Sequence, residues 1–465
     1  MQPVLVLDVV GLTAAQIGER TPALSALARR GSMAPMSAIL PAVTCSAQAT
    51  MLTGAMPSEH GAVANGWFER RTAEVALWRQ SNALVEAPKV YETARERDAS
   101  FTCAKLFWWW NMGARAEWSI TPRPHYPADG RKLLDVYGQP DPWVQSVKAE
   151  LGPFPFFDFW GPKAGLPSSR WIADATRRCL REQRPSLTLC YLPHLDYDHQ
   201  RKGPAHPDSL RAVEEVDALV GELVAAADEA GAATIVVSEY GIEDATRVAH
   251  PNRALREAGL LEVRATPVGE MLDVFASRAF CVSDHQLGHV YVREPEDRAR
   301  AAQVLAELPG VEQVLEGESR RAAGLDHPNA GDLVIVAERG AWFTYYYWID
   351  DAQAPDFAPT VDIHRKPGYD PCELFVDPQL RVPQLRVARR LAQKLLGFRY
   401  LMDVIPLAPE LVLGTHGRLP DTPAEGPVFL SSLPFDALGG EPAGDVLAKT
   451  SVRDRILAAL ERPAD

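Results

Sequence analysis

The succession of a strand, a long helix and a second strand between residues 188 and 237 constrains the fold most. Residues 188–192 (TLCYL) and 233–237 (ATIVV) are short apolar runs, which are typical of strands buried on both faces of a parallel sheet. Residues 208–231 lie between them and have apolar positions at helical spacing. Polar residues follow each strand, at Asp196 and Glu239. The pattern predicts a doubly wound α/β sheet, with helices on both faces, whose strand ends meet at one edge.

Other parts of the chain complete the predicted architecture. Residues 4–8 read as another buried strand, which ends in Asp8, and residues 21–30 as a helix. Residues 289–315 read as a strand, a helix and a strand, which indicates a small α+β cap. We therefore predict a first part of a catalytic core at 1–250, a cap insertion at 251–345, and a second part of the core at 346–465 that includes a basic helix at 385–396.

Charge and cysteine content narrow the function. The chain has 465 residues and a formal net charge of −13 without a basic block, which argues against wrapping of nucleic acid. No apolar run reaches the ~20 residues of a membrane span. The N-terminus lacks the basic region and cleavage site of a signal peptide. The six cysteines are scattered and form no CxxC pair, so we expect reduced thiols in a cytoplasmic protein.

Residues 41–66 (PAVTCSAQATMLTGAMPSEHGAVANG) contain the strongest functional signal. Thr44 stands where a helix is predicted to begin, and the free N–H groups of a helix start favour a phosphate. The alternative for such a threonine is an ordinary capped helix. The segment as a whole resembles the nucleophile region of the nucleotide pyrophosphatase/phosphodiesterase family in the alkaline phosphatase superfamily. The resemblance implies that Thr44 attacks phosphorus and that Asn65 binds a phosphoryl oxygen.

The order of polar residues extends this resemblance from Asp8 to His416. It implies an alkaline phosphatase-like fold and one or two divalent cations beside Thr44. Asp8 and Glu239 would hold the cation that activates the nucleophile, and Asp196 and His416 would hold the second. The full set of implied ligands is Asp8, Thr44, Asp196, Gln200, Glu239, Tyr240 and His416.

Three of these positions depart from the family pattern. The family has a histidine where this chain has Gln200, and it has Ser-Asp-His-Gly where this chain has Ser-Glu-Tyr-Gly at 238–241. Oxygen ligands suit Mn²⁺ or Mg²⁺, whereas imidazole ligands suit Zn²⁺. We therefore expect Mn²⁺ or Mg²⁺, with Zn²⁺ as the alternative. The candidates for replacing the missing ligands are His199, His364, Asp284 and His285.

Three residues outside the ligand set are predicted to bind substrate. His364 and Lys366 belong to the run DIHRKPGYDP at 362–371, for which the alternative is a tight turn with satisfied charges. Trp109 belongs to FWWWN at 107–111 and would form a stacking wall, for which the alternative is core packing. The run Ser-Asp-His-Gln at 283–286 is interpreted mainly as structural, because it lies in the predicted cap.

Together these features predict a metal-dependent phosphoryl hydrolase of the phosphodiesterase or nucleotide pyrophosphatase type. It would act through a threonine nucleophile on a small phosphorylated molecule. A phosphonate or phosphomonoester hydrolase of the same superfamily is one alternative. A non-catalytic binding protein on a decayed hydrolase core is another, because three ligands are changed.

Overall fold

The chain alternates short strands with helices over most of its length. The computed structural model describes residues 1–128, 132–361, 366–398 and 401–463. The strands are β1 (Val4–Val9), β2 (Ser32–Pro35), β3 (Gly66–Glu69), β4 (Glu74–Leu77), β5 (Cys103–Leu106), β6 (Trp118–Pro122), β7 (Val136–Gln139), β8 (Leu187–Leu192), β9 (Ala233–Val237), β10 (Glu243–Asp244), β11 (Arg247–Ala249), β12 (Val263–Thr266), β13 (Gly269–Leu272), β14 (Ala279–Asp284), β15 (Leu287–Val292), β16 (Val311–Leu315), β17 (Leu333–Ala337), β18 (Ala341–Phe343), β19 (Gly414–Thr415) and β20 (Val428–Ser431). The α-helices are α1 (Pro22–Arg30), α2 (Thr44–Thr53), α3 (Pro57–His60), α4 (Val90–Arg97), α5 (Asp141–Leu151), α6 (Leu166–Gln183), α7 (His194–Lys202), α8 (Pro207–Glu229), α9 (Pro251–Glu257), α10 (Arg298–Ala306), α11 (Gly317–Ala322), α12 (Pro383–Leu395) and α13 (Val452–Leu460).

The central sheet contains eight strands within the described residues, in the order β2-β20-β9-β1-β8-β5-β6-β7. The strands β9, β1, β8, β5 and β6 run parallel, and antiparallel pairs flank them at both edges. In the register of this sheet Asp8 lies opposite Tyr191 on one side and Val237 on the other. The predicted α/β fold is confirmed, with antiparallel strands added at the edges.

Both faces of the sheet are covered, as the apolar run of β1 predicts. Leu5 and Leu7 belong to a buried cluster that includes Val216 of α8. Val4 and Val6 belong to a second cluster on the other face, which includes Ile456 of α13. Successive residues of a strand point to opposite faces, so a strand between two helical layers is apolar throughout.

A second sheet contains four strands within the described residues, in the order β14-β15-β17-β16. The predicted succession at 289–315 forms as β15, α10 and β16, but β17 lies between the two strands and pairs antiparallel with both. The short strand β18 pairs in parallel with the three residues of β11. The domain boundaries at 250 and 345 stay a prediction.

Two further features follow from the described residues. None of their helices combines the length and the apolar character that a bilayer crossing requires. All six cysteines of the chain are free and buried. The thiols therefore stabilise the fold by packing, as small apolar side chains do.

Candidate active site

Three acidic side chains meet at the carboxyl edge of the central sheet. Asp8 lies near the end of β1, Glu239 follows β9 and Asp196 lies in the first turn of α7, directly after β8. These three strands are neighbours and parallel, so their ends bring the acids together. Asp8 and Glu239 are fully buried. Burial raises the pKa of Asp196 to about 7, although the hydrogen bond from Tyr240 favours the carboxylate.

Thr44 is the first residue of α2, as predicted, and lies above this edge. Val43 before it is extended, which lets the helix begin at Thr44. The hydroxyl of Thr44 lies 3.2 Å from the hydroxyl of Tyr240, which in turn donates to Asp196 Oδ1 at 3.3 Å. Burial raises the pKa of the nearby Glu239 carboxyl, and the Thr44 hydroxyl lowers it. A hydroxyl at a helix start, at the sheet edge where three acids meet, is thus present in the structure.

Gln48, one turn along α2, lies between two of the buried carboxylates. Its Nε2 donates to Asp8 Oδ2 at 3.1 Å and to Glu239 Oε1 at 2.7 Å. Its Oε1 accepts from the backbone N–H of Trp109 at 2.6 Å. Burial raises the pKa of both carboxyls, and the charge of Glu239 raises the pKa of Asp8 further. The Gln48 amide therefore links α2 to the ends of β1 and β9.

A buried lysine supplies positive charge behind this pair. Lys449 Nζ donates to the backbone carbonyls of Ser238 and Glu239, both at 3.0 Å. Burial lowers the pKa of its ammonium to about 8, while Asp8 and Glu239 raise that pKa. No sequence signal identified Gln48 or Lys449, because each is an isolated polar residue in an otherwise ordinary segment.

Asn65 is held from three sides. Its Oδ1 accepts from the backbone N–H of Cys45 at 2.9 Å, so the amide is oriented toward the start of α2. Its backbone N–H donates to Asp284 Oδ2 at 2.8 Å, and its Nδ2 donates to Asp284 Oδ1 at 3.2 Å and to Tyr369 Oη at 3.0 Å. Tyr369 Oη donates to Asp284 Oδ1 at 2.7 Å. Both amide hydrogens of Asn65 are therefore engaged by the protein itself.

The second sheet thus contributes directly to this site. Asp284 is the last residue of β14, and burial raises the pKa of its carboxyl to about 6. The Ser-Asp-His-Gln run at 283–286, which we interpreted mainly as structural, lies at the site. The sequence signal for this run was its similarity to the Ser-Asp-His-Gly motif of the family. We did not assign it to the site, because it lies in the predicted cap.

Three rings form a stack at the same edge. The Tyr240 and His416 rings are parallel within 5° at 3.7 Å, and the His285 ring lies 4.0 Å from the His416 ring on the other face. Because a carbonyl only accepts, His416 Nδ1 donates to the carbonyl of Ala42 at 2.8 Å. Burial lowers the pKa of His416 to about 3, so the ring is neutral. The Nε2 atom of His416 lies 3.9 Å from Asp196 Oδ1.

Residues 4–370 match the model of the type I phosphodiesterase / nucleotide pyrophosphatase family. The chain belongs to this family. Membership makes the chain a phosphoryl hydrolase of the alkaline phosphatase superfamily, which confirms the predicted resemblance and the coarse function.

Solved structures of this type I phosphodiesterase / nucleotide pyrophosphatase fold resemble the chain over nearly its whole length. Phosphonoacetate hydrolase from Sinorhizobium meliloti 1021, in complex with phosphonoformate, has a TM-score of 0.61 and 17% identity, and the match covers 98% of this chain and 96% of that chain. Murine ectonucleotide pyrophosphatase / phosphodiesterase 5, in complex with AMP, has a TM-score of 0.58 and 14% identity, and the match covers 100% of this chain and 96% of that chain. The likeness confirms the alkaline phosphatase-like fold.

Members of the superfamily use divalent metals, and the donors in this family member fit a hard cation. Within the described ranges, no three His, Cys, Asp or Glu side chains converge as a ligand set. However, Asp8 Oδ1 and Glu239 Oε2 are buried and have no hydrogen-bond partner there. Two such carboxylate oxygens beside the Thr44 hydroxyl suit Mg²⁺ or Mn²⁺ and do not suit a zinc ion that needs imidazole.

The donors around Asp196 form a poorer set. His416 Nε2 faces this carboxylate, and the other nitrogen of the ring donates to a carbonyl, as in many histidines that ligate metals. Both side-chain polar atoms of Gln200 are buried and lack a hydrogen-bond partner among the described residues. His199 Nε2 is hydrogen-bonded to Gln16 at 3.1 Å, whereas its Nδ1 is buried and lacks a partner among the described residues, so its role as a replacement ligand stays a prediction.

The predicted substrate residues lie in different surroundings. Trp109 lines a cavity of about 40 Å³ together with Thr44, Asp196 and Trp160. Lys366 is buried and donates to Glu373 Oε1 at 2.6 Å and to the carbonyl of Thr360 at 2.9 Å, so its charge is already paired. His364 lies outside the described residues. The substrate roles of these three residues stay a prediction.

Proposed function

We propose that the chain hydrolyses a small phosphodiester or pyrophosphate and that Thr44 is the nucleophile. The single observation that supports this most is the position of the Thr44 hydroxyl, at the start of α2 and 3.2 Å from the hydroxyl of Tyr240. A decayed binding protein has no reason to retain a buried hydroxyl among three acids.

The reaction would proceed in two displacements. Thr44 Oγ1 would form a bond to phosphorus as the bond to the leaving oxygen breaks, and the proton of the hydroxyl would pass to the Glu239 carboxylate or, through the Tyr240 hydroxyl, to the Asp196 carboxylate. Water would then attack the phospho-threonine and restore the hydroxyl. A divalent cation held by Asp8 and Glu239 would lower the pKa of the nucleophile and offset phosphoryl charge.

Asn65 would orient the phosphoryl group through two groups. The Oδ1 of Asn65 accepts from the backbone N–H of Cys45. This bond would hold the start of α2 beside the position of a non-bridging phosphoryl oxygen. The hydrogen that now meets Tyr369 Oη would turn to that oxygen when substrate binds. Trp109 would cover the leaving group from the cavity wall.

A second candidate is hydrolysis of a phosphonate or a phosphomonoester. One structural neighbour is a phosphonoacetate hydrolase. In both cases the substrate is a small molecule, and Mn²⁺ or Mg²⁺ is the preferred cation. The cytoplasmic location stays a prediction.

Turnover assays with Thr44→Ala test the proposal. The substrates are bis-p-nitrophenyl phosphate, p-nitrophenyl phosphate and phosphonoacetate, each with Mn²⁺, Mg²⁺ or Zn²⁺. We expect Mn²⁺- or Mg²⁺-dependent turnover that falls at least about 1,000-fold in the variant, as is usual when a nucleophile is lost. Thr53→Ala is the matched control, because Thr53 ends the same helix and its hydroxyl bonds only within the helix end.

The pattern across substrates separates the candidates. Preference for the diester supports the first function, and preference for phosphonoacetate or the monoester supports the second. If no substrate is turned over with any metal, the binding-protein alternative is favoured. If Thr44→Ala retains the activity, Thr44 is not the nucleophile.

A further inference from the structure

Helix α12 (Pro383–Leu395) directs apolar side chains outward. Leu385 is 68% exposed and Leu395 is 87% exposed, and Leu396 and Phe398 directly after the helix are 73% and 65% exposed. A surface helix of a globular protein normally buries its apolar stripe against the core. In α12 this relation is reversed.

The inward side of α12 is anchored by arginines. Arg390 Nε donates to Asp403 Oδ1 at 2.7 Å, and Arg386 lies 3.5 Å from Asp403 Oδ2. These side chains are largely shielded, with 18% of Arg390 and 19% of Asp403 exposed. The ion pairs fix which side of the helix faces the protein, so the leucines face outward as a consequence.

The exposed apolar residues are concentrated in this region. Of the seventeen large apolar side chains that are exposed in the described part of the chain, eight lie between residues 376 and 401. Scattered apolar residues are normal on a protein surface, whereas a contiguous patch marks an interaction site.

The same region is basic in an acidic protein. Residues 378–402 contain five arginines and one lysine and no Asp or Glu, although the whole chain has a net charge of −13. Arg389 is exposed and lies one residue from the inward-facing Arg390. In the described ranges Arg389 has no ion-pair partner. The segment therefore combines exposed leucines with Arg389, a cation that is available to an anionic surface.

We propose that α12 and residues 396–398 form a docking surface for an anionic lipid bilayer. The helix would lie in the plane of the interface, with Leu385, Leu395, Leu396 and Phe398 among the acyl chains and Arg389 at the phosphate headgroups. A second copy of the chain is disfavoured as the partner, because two such surfaces would oppose cation to cation. The acidic remainder of the protein would face away from the bilayer, so docking has one orientation.

Vesicle sedimentation tests this proposal on the full-length protein. We expect the wild type to sediment with vesicles of phosphatidylcholine and phosphatidylglycerol, to sediment less with phosphatidylcholine alone, and to be released by salt. The double variant Leu395→Asp, Leu396→Asp should lower the ratio of bound to free protein at least about tenfold, because two apolar contacts become charged. Phe275→Asp is the matched control, since Phe275 is 73% exposed and lies outside residues 376–401, and it should bind as the wild type does.

A fluorophore provides a second measurement. All six native cysteines are buried, so Leu396→Cys is labelled selectively with an environment-sensitive dye. Its emission should shift to the blue with anionic vesicles. Absence of wild-type sedimentation with these vesicles overturns the proposal, and so does unchanged binding by the double variant. A dimer that the double variant dissociates, without vesicle binding, assigns the surface to self-association instead.

Discussion

Replacement of Asp284 by asparagine tests the hydrogen-bonded link between the second sheet and the nucleophile helix. The Asp284 carboxylate is buried and accepts from both nitrogens of Asn65 and from Tyr369 Oη. Burial raises its pKa from 3.8 to about 6, although these bonds favour the charged form. Ionised Asp284 is therefore costly to the folded state, and asparagine cannot ionise.

The size of the effect follows from the two pKa values. The folded pKa lies above the unfolded one, so the stability that Asp284 contributes is fully present below 3.8 and is lost as the pH rises through about 6. Between about pH 4.5 and about pH 7.5 this loss amounts to about 2 kcal/mol in the free energy of unfolding. Asp284→Asn lacks the loss, so its stability deficit relative to the wild type should shrink by about 2 kcal/mol over this interval.

Urea unfolding at the two pH values, followed by tryptophan fluorescence, measures the change in this deficit. Other buried acids also titrate, but they do so in both proteins and cancel in the difference. Asp284→Ala is the control, because it removes the carboxyl and the shape together. Its deficit should be larger at each pH and should change by the same amount. A deficit of Asp284→Asn that stays constant, or that grows with pH, would refute the reasoning.

Three further changes test other parts of the site. Gln48→Glu adds a third carboxylate between Asp8 and Glu239, so it should lower the melting temperature in EDTA. In calorimetry it should tighten Mn²⁺ binding by about tenfold or more. Unchanged Mn²⁺ affinity would contradict a cation site between these two acids. Tyr240→Phe removes the hydroxyl that lies 3.2 Å from Thr44 Oγ1 and should lower kcat about 10- to 100-fold with little change in unfolding; wild-type kcat would exclude the hydroxyl from the reaction. Lys366→Met leaves the buried Glu373 without its ion-pair partner and should reduce the free energy of unfolding by about 3–5 kcal/mol. Adding Glu373→Leu should restore stability, and a wild-type urea midpoint for Lys366→Met would refute this.

Local pattern was sufficient for the core of the fold and for half of the site. Asp8 and Glu239 could be placed at one sheet edge because parallel strands end at the same side. Thr44 could be placed at a helix start because the signals that begin a helix lie within a few residues of that start. These relations depend on neighbours in the chain, and the sequence alone therefore determined them.

Tertiary structure decided the remaining contacts. Gln48 lies between Asp8 and Glu239 only because α2 packs over the ends of β1 and β9, and Lys449 reaches the same place from the other end of the chain. Asp284 accepts a hydrogen bond from Asn65, which is 219 residues away along the chain. Hydrogen bonds and charge interactions act over a few ångström in space whatever the separation along the chain. Residue type and spacing therefore do not reveal such partners until the sheets and helices are packed.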